Sequence, residues 1–243
     1  MNTQEILRQC TTEGLIVKLP DIQLERKEYT EVKKQLELIG GKWKGGKTQG
    51  FVFKLSPDKL LKRISSGEKR NLKKEFQFFG TPQKLAERMV RLADLASYHT
   101  VLEPSAGQGA LVSEINKAGL VPDCCELMEL NRTVLDEKDL RYNLVENDFF
   151  DLVGEYSKII ANPPFAKNQD IKHITKMVDE HLSCGGTLVA VCSKHWENSV
   201  GKIERNFRTW LRQFEYEITP IQKGEFKESG TNIETNLLVL SKV

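Results

Sequence analysis

Strands alternating with helices from about residue 76 onward predict an α/β chain with a mostly parallel sheet, preceded by a small basic α+β unit. Three observations carry that prediction. Short apolar runs, among them Val101-Leu102, Cys124-Cys125, Ile159-Ile160-Ala161 and Leu188-Val189-Ala190-Val191, are separated by segments with helical apolar spacing. A Gly-rich turn, Ser105-Ala106-Gly107-Gln108-Gly109, stands between the first of these runs and the helix that follows. Residues 1–75 carry 17 Lys and Arg against 10 Asp and Glu, whereas residues 76–243 carry 19 against 24. A basic front end therefore precedes a slightly acidic body, which suits a polyanionic partner at the front and equally a solvated face.

The 243 residues suffice for one medium α/β domain and a small appendage. No apolar run approaches the roughly 20 residues that span a bilayer. The opening Met1-Asn2-Thr3-Gln4-Glu5 has no basic segment leading into an apolar one, so no secretory signal is expected. Five cysteines form no C-x-x-C pair and no even framework, and four scattered histidines lack zinc-ligand spacing. The expectation is a cytoplasmic, metal-free protein whose cysteines are small buried hydrophobes.

Residues 1–24 alternate poorly, with one short strand expected within Gly14–Leu19, stopped by Pro20. Val32, Leu36 and Ile39 have helical spacing, and Gly40-Gly41 signals the helix end. Lys42-Trp43-Lys44, a Gly45-Gly46 turn and Gly50–Lys54 read as a basic hairpin. Ser56 and Pro57 then open another helix, as N-cap and first-turn residue. In this helix-hairpin-helix-like unit Lys42, Lys44, Lys47 and Lys54 are candidate phosphate contacts, and Trp43 is expected in the core rather than as a base-stacking platform. Residues 66–74 read as a charged linker.

Thr81 and Pro82 suit the start of a helix through Leu85, Met89, Leu92 and Leu95. After the strand at Val101 come Glu103 and the G-x-G turn, whose glycines let the backbone approach a ligand above a helix N-terminus. That turn alone would also fit a dinucleotide, although the third glycine of that fingerprint is replaced by Leu111-Val112. Glu126 ends the next strand, placed to accept hydrogen bonds from ribose hydroxyls. Asp148 and Phe149 end the third, suited to an adenine amino group and ring face, although a lone strand-end carboxylate is as often plain surface. Further strands are expected at Thr187–Cys192, Tyr216–Thr219 and Thr235–Leu240, the last two forming an antiparallel edge.

The central stretch is Lys158-Ile159-Ile160-Ala161-Asn162-Pro163-Pro164-Phe165. A strand buried on both faces stops at two prolines, which cannot donate ladder hydrogen bonds. Asn162 and Phe165 should then project beyond its carboxyl end, where open α/β sheets place ligands. An amide oxygen, a rigid turn with free carbonyls and an aromatic ring suit a flat group bearing an amino nitrogen; the plain alternative is a polar turn closing a core strand.

Together these segments resemble the class I S-adenosylmethionine-dependent methyltransferases, and among them the N6-adenine DNA methyltransferases of phage and plasmid type. VLEPSAGQGAL is similar to the cofactor loop, CCEL to the ribose-binding strand end, NDFF to the adenine-binding strand end, and ANPPF to the catalytic (Asp/Asn)-Pro-Pro-(Tyr/Phe) motif. FFGTP resembles the motif that packs beside the methionine moiety. The resemblance covers residues 76–243 and implies a Rossmann-like, seven-stranded class I methyltransferase sheet, mostly parallel with an antiparallel last strand. It implies that Thr81, Glu103, Ser105, Ala106, Gly107 and Gly109 hold the methionine end of S-adenosyl-L-methionine. Glu126 and Leu127 would serve the ribose, Asp148 and Phe149 the adenine. Asn162, Pro163, Pro164 and Phe165 would receive a flipped DNA adenine, with Phe226 as a second clamp. Many members add a long target-recognition domain. Here either residues 1–75 take that role or selectivity is slight. The same motif serves enzymes acting on guanine N2 in RNA or on a protein glutamine amide, and an inactive nucleic-acid-binding module would share the fold. DNA is the expected partner and RNA the alternative.

Overall fold

The computed structural model describes residues 2–53, 56–67, 80–222, 225 and 234–243. The chain divides into two compact units, Met1–Gln77 and Phe78–Val243. Phe226, the Phe78-Phe79 pair, Lys54 and most of the expected linker lie outside the described residues.

The first unit begins with helix α1 (Thr3–Gln9), where the expectation was only irregular chain. Asn2 and Glu5 form a reciprocal capping box there, the Asn2 side chain accepting from Glu5 N at 2.8 Å. Strands β1 (Thr11–Glu13) and β2 (Ile16–Lys18) form a hairpin. The short strand expected within Gly14–Leu19 is β2, and the unexpected β1 joins it through a turn at Gly14, whose φ of 58° favours glycine. Helix α2 (Arg26–Leu38) buries Val32 and Leu36, as its periodicity predicts. Strands β3 (Lys42–Lys44) and β4 (Gly50–Val52) pair antiparallel, giving a four-stranded sheet of order β1-β2-β4-β3. Phe51 is fully buried, but Trp43 on the edge strand is 41% exposed, correcting the expectation that it is core. Helix α3 (Asp58–Ser65) starts one residue late for the expected cap. Pro57 takes the cap position and Ser56 Oγ donates to Asp58 instead.

In the second unit, helix α4 (Gln83–Ala93) precedes strand β5 (Val101–Glu103), helix α5 (Ala110–Lys117), strand β6 (Asp123–Cys125), helix α6 (Glu129–Asp136) and strand β7 (Asn143–Glu146). Strand β8 (Tyr156–Ala161), helix α7 (Gln169–Lys176) with a wider π-helical turn over Met177–His181, and strand β9 (Leu182–Ser193) follow. Helix α8 (Lys202–Leu211) and strands β10 (Glu215–Pro220) and β11 (Thr235–Ser241) complete the unit. Seven strands form one sheet in the order β10-β11-β9-β8-β5-β6-β7. β7, β6, β5, β8 and β9 run parallel, and β11 is antiparallel to both β9 and β10. The antiparallel strand is therefore inserted inside the sheet, and β10 forms the edge. That edge position tolerates Pro220 within the strand.

Alternation along the strands splits the core into two layers. Ile160, Val189, Val191 and Leu237 face α4 and α5, packing with Leu85, Met89, Leu111 and Ile115. Ile159, Ala161, Leu188, Ala190, Cys192 and Leu238 face α7 and α8, packing with Ile174, Met177 and Phe207. A parallel sheet covered on both sides explains the uninterrupted apolar runs of β8 and β9. Cys124, Cys125 and Cys192 are buried as expected, whereas Cys184 is exposed and Cys10 half-buried; all five are free thiols. Burial pushes the Cys10 thiol up to about 11 and that of Cys125 up to about 12. No helix among the described residues is long and apolar enough to cross a membrane.

Leu238 lies fully buried at the middle of the inserted strand. Leu238→Ala is expected to cost about 2–5 kcal/mol in chemical denaturation, because the packed layers around it cannot collapse onto the void.

Candidate active site

The strand order reverses between β5 and β8, where open α/β sheets form a crevice at the carboxyl ends. These two strands pair in parallel, Val101 opposite Lys158 and Leu102 opposite Ile159. Their amino ends are pinned by reciprocal bonds: Thr100 N donates to Ser157 Oγ, Ser157 N to Thr100 Oγ1 and Ser157 Oγ to Thr100 O, each at 3.0 Å. The fixed register delivers Glu103 and Asn162 to the same end of neighbouring strands.

Asn162 follows β8 directly and is half-buried, with Pro163 buried behind it. Its Nδ2 donates to Thr81 Oγ1 at 3.0 Å, and its Oδ1 is shielded from solvent. Thr81 was expected to cap α4. The helix instead begins at Gln83 with Pro82 in the cap position, and the Thr81 hydroxyl is spent on Asn162. Pro164 is half-buried. Phe165 is only 6% exposed and sits in the apolar layer with Leu85, Met89, Ile160 and Ile221. Its ring is part of the core rather than an open platform.

The loop after β5 approaches closely because Gly107 and Gly109 take φ of 56° and 79°. A methyl group on Gly109 would also meet Leu140 and Leu135 side-chain carbons at 2.6 and 2.8 Å. Ala106 N donates to Cys125 O at 2.9 Å, tying the loop to β6, and Lys138 donates to Gln108 O. Ala106 is buried and Ser105 half-buried. Glu126, 7% exposed, accepts from Gly107 N through Oε2 and from Met128 N through Oε1, both at 2.7 Å. The carboxylate at the end of β6 thus holds the glycine loop itself, a second use that spacing did not indicate. Burial raises its affinity for a proton, partly offset by those N–H donors, Asn131 and Arg132. Leu127 beside it is exposed, and Arg132 donates to the carbonyls of Glu126 and Leu127 at 2.6 and 2.9 Å.

Asp148 accepts from Phe150 N at 3.0 Å, capping the short 3₁₀ turn Phe149–Asp151. Phe149 is 3% exposed, stacked on His173 with centroids 5.5 Å apart, while Phe150 is the ring turned outward. Burial lowers the proton affinity of His173. Thr81, Glu103, the glycine loop, Glu126, Asp148 and Asn162 all lie at the carboxyl ends of β5, β6, β7 and β8 or in the segments joined to them. Lys42, Lys44 and Lys47 are exposed in the first unit. Among the described residues no group of three or more His, Cys, Asp or Glu could hold a metal ion.

Glu103 is the most unusual group of the set. It is 2% exposed, and its Oε2 has no hydrogen-bond partner among the described residues. Burial, and next the Glu126 carboxylate, push its carboxyl well above the usual range, with the Val112 N–H opposing. Because the folded state raises this affinity, the associated stability is complete below the unfolded carboxylate range and is lost as pH rises through the folded value. Glu103→Gln is therefore expected to raise the denaturation midpoint of the ligand-free protein at neutral pH. The gain should fade as pH falls towards 4, in urea titrations at several pH values.

No curated protein sequence matches this chain. The family model described as methyltransferase small domain matches residues 92–218. Three solved structures illustrate the fold. A protein of Pyrococcus horikoshii assigned as an RNA methyltransferase is 18% identical, with a TM-score of 0.52 over 69% of this chain and 89% of that one. TrmN from Thermus thermophilus is 18% identical, with a TM-score of 0.50 over 66% of this chain and 49% of that one. The M protein of the type I restriction enzyme EcoKI is 15% identical, with a TM-score of 0.57 over 90% of this chain and 55% of that one. The residues present suit the donor molecule of such a fold. Its ammonium group can answer the partnerless buried oxygen of Glu103, and the left-handed glycines leave the loop backbone bare for close approach. The chain belongs to the methyltransferase small domain family, with the class I methyltransferase fold and S-adenosyl-L-methionine as its cofactor.

Proposed function

We propose that the chain transfers a methyl group from S-adenosyl-L-methionine to the N6 amino group of adenine in DNA. The observation that carries this reading is Asn162, followed by Pro163-Pro164, at the strand-order reversal and at the same end of its neighbouring strand as Glu103. The cofactor supplies an electrophilic methyl group on a sulfonium. Glu103, Ser105, Ala106, Gly107 and Gly109 would hold its methionine end, Glu126 and Leu127 its ribose, and Asp148 with Phe149 its adenine. The Asn162 carboxamide oxygen and the Pro163 carbonyl would accept the two hydrogens of the target amine. Holding both hydrogens favours a tetrahedral nitrogen and directs its lone pair, so that the protein acts by orientation and electrostatics. Thr81 fixes the plane of that amide through its 3.0 Å bond. Since Oδ1 is shielded and the Phe165 ring is in the core, admitting a base requires the turn at 162–165 to open. Stacking by Phe165 belongs to that opened state. Phe226 would be a further contact.

The fold is shared by the type I restriction M protein and by the protein assigned as an RNA methyltransferase, so the acceptor polymer is the part to test. The basic first unit supports a nucleic acid. Its edge strand carries exposed Lys42 and Lys44 on one face, and Trp43, edge-on to Phe51 at 5.1 Å, on the other.

Labelled-methyl transfer to unmethylated DNA, RNA and protein in parallel is expected to mark N6 of adenine in DNA. Label in RNA alone would transfer the reading to RNA, and label in protein alone would end it. Asn162→Ala should lower turnover about 100- to 1,000-fold while cofactor binding, measured calorimetrically, persists. Replacing Lys42, Lys44 and Lys47 together by Ala should weaken DNA binding and flatten the slope of log affinity against log salt by about 2–3. An unchanged slope would remove the first unit from the interface.

A further inference from the structure

The four-stranded sheet of the first unit has an open face. Cross-strand partners share a face, so the register sorts its side chains. Thr12, Val17, Phe51 and Trp43 stand opposite one another in turn and form one row. Val17 and Phe51 in that row are fully buried. Tyr29 of α2 meets Trp43 edge-on with ring centroids 6.4 Å apart, so α2 lies on this side. Glu13, Ile16, Val52 and Lys42 form the neighbouring row, on the opposite face. Lys18, Gly50 and Lys44 lie two residues along from it, on that same face. Ile16 and Val52 are only half-buried there, and Lys42 and Lys44 are exposed.

This face is cationic and carries no ring. Glu13 is the one carboxylate in the four strands, and Lys18 already holds it at 2.6 Å. Lys42 and Lys44 have no ion-pair partner among the described residues. Between Glu37 and Asp58 the chain has four lysines and no carboxylate, so nothing nearby in sequence offsets them. Helix α2, in contrast, sets four basic residues against three acidic ones, which concentrates the unit's excess charge on the hairpin. Lys42 and Lys44 project from one side of the edge strand, about 7 Å apart. Gly50 lies between Lys18 and Lys44, and a methyl group on it would meet Ile16 Cγ2 at 2.7 Å and Val17 O at 2.9 Å. The floor between those two lysines therefore stays free of any side chain of its own.

We propose that this open face, through Lys18, Lys42 and Lys44, grips double-stranded DNA by its phosphates. Two physical reasons select the duplex over a single strand. Unpaired bases gain from stacking on protein rings, and both rings of the sheet, Trp43 and Phe51, belong to the other face. A duplex keeps its bases stacked inside and presents one negative charge per roughly 1.7 Å of axis, about twice the density of one strand. The pair between Lys18 and Glu13 is solvent-exposed and therefore weak, so Lys18 can exchange its carboxylate for a phosphate. Phosphate contacts carry no sequence information, and the choice of base lies elsewhere. The grip rests on the functional reading above in taking DNA as the polymer.

Fluorescence anisotropy of the full chain with a labelled duplex, and with each of its strands alone, tests the grip at about 0.1 M salt. The duplex is expected to bind about tenfold tighter than either strand. Lys42→Glu combined with Lys44→Glu should weaken duplex binding about 10- to 100-fold. Glu13→Gln should tighten it about threefold and steepen the slope of log affinity against log salt by about one, a gain that no folding defect imitates. Trp43→Phe should leave the affinity for both ligands as it was. Single strands that bind as tightly as the duplex, or that lose affinity in Trp43→Phe, overturn the duplex assignment in favour of a stacking surface. Duplex affinity unmoved by the lysine reversals and by Glu13→Gln overturns the grip and leaves a solvated face. Methyl label found only in RNA or protein, while the duplex still binds through this face, leaves the grip standing and sinks the adenine reading. Label on DNA adenine with duplex affinity indifferent to these variants does the reverse.

Discussion

The parallel pairing of β5 with β8 is the constraint on which the candidate site depends. Both strands are buried on both faces, so a one-residue slip would turn Ile159 and Ile160 into the wrong layers and leave side-chain volume unmatched. The Thr100–Ser157 bonds hold the amino ends in register, and the opposite ends then carry a buried carboxyl and a carboxamide to the same side of the sheet's crevice. The chemistry proposed for Asn162 draws on this alignment, on the two prolines that end the strand and on the Thr81 hydroxyl that orients the amide.

Around that alignment the protein stores unfavourable electrostatics. Glu103 and Glu126 are both buried, and each is pushed towards its neutral form. They differ in how far they are compensated. Glu126 is met by two backbone N–H groups and so doubles as the clamp of the glycine loop, whereas one oxygen of Glu103 is left without a partner. A group that is costly in the empty fold and relieved by a cation is the expected signature of a binding position, where stability is given up for affinity.

Much of this was legible beforehand, and the misses have physical causes. The sheet, the G-x-G turn and the strand ends could be read because buried parallel strands leave short apolar runs and because left-handed turns select glycine. Helix α1 was missed although its Asn2-x-x-Glu5 capping box was in plain view, since its apolar face is only two residues, Ile6 and Leu7. Trp43 was assigned to the core on residue type; its place on an edge strand, which exposes it, is a matter of sheet order. Thr81 looked like a helix cap, and the competing bond to Asn162 joins residues 81 positions apart. Phe149 and Phe165 were read as open faces, but each had core neighbours that no local pattern names.

By itself, the sequence determined which residue types stand at the strand ends, because strand, turn and helix starts are local in chain and carry local signals. Tertiary structure alone decided which of them meet: that β11 slides between β9 and β10, that Glu126 grips Gly107, and that Asp170, Ser193, His195, Asn168 and Glu204 join into one chain. Those contacts connect residues remote along the backbone. Their partners are chosen by packing and by the need to satisfy every buried donor, which no window of sequence contains.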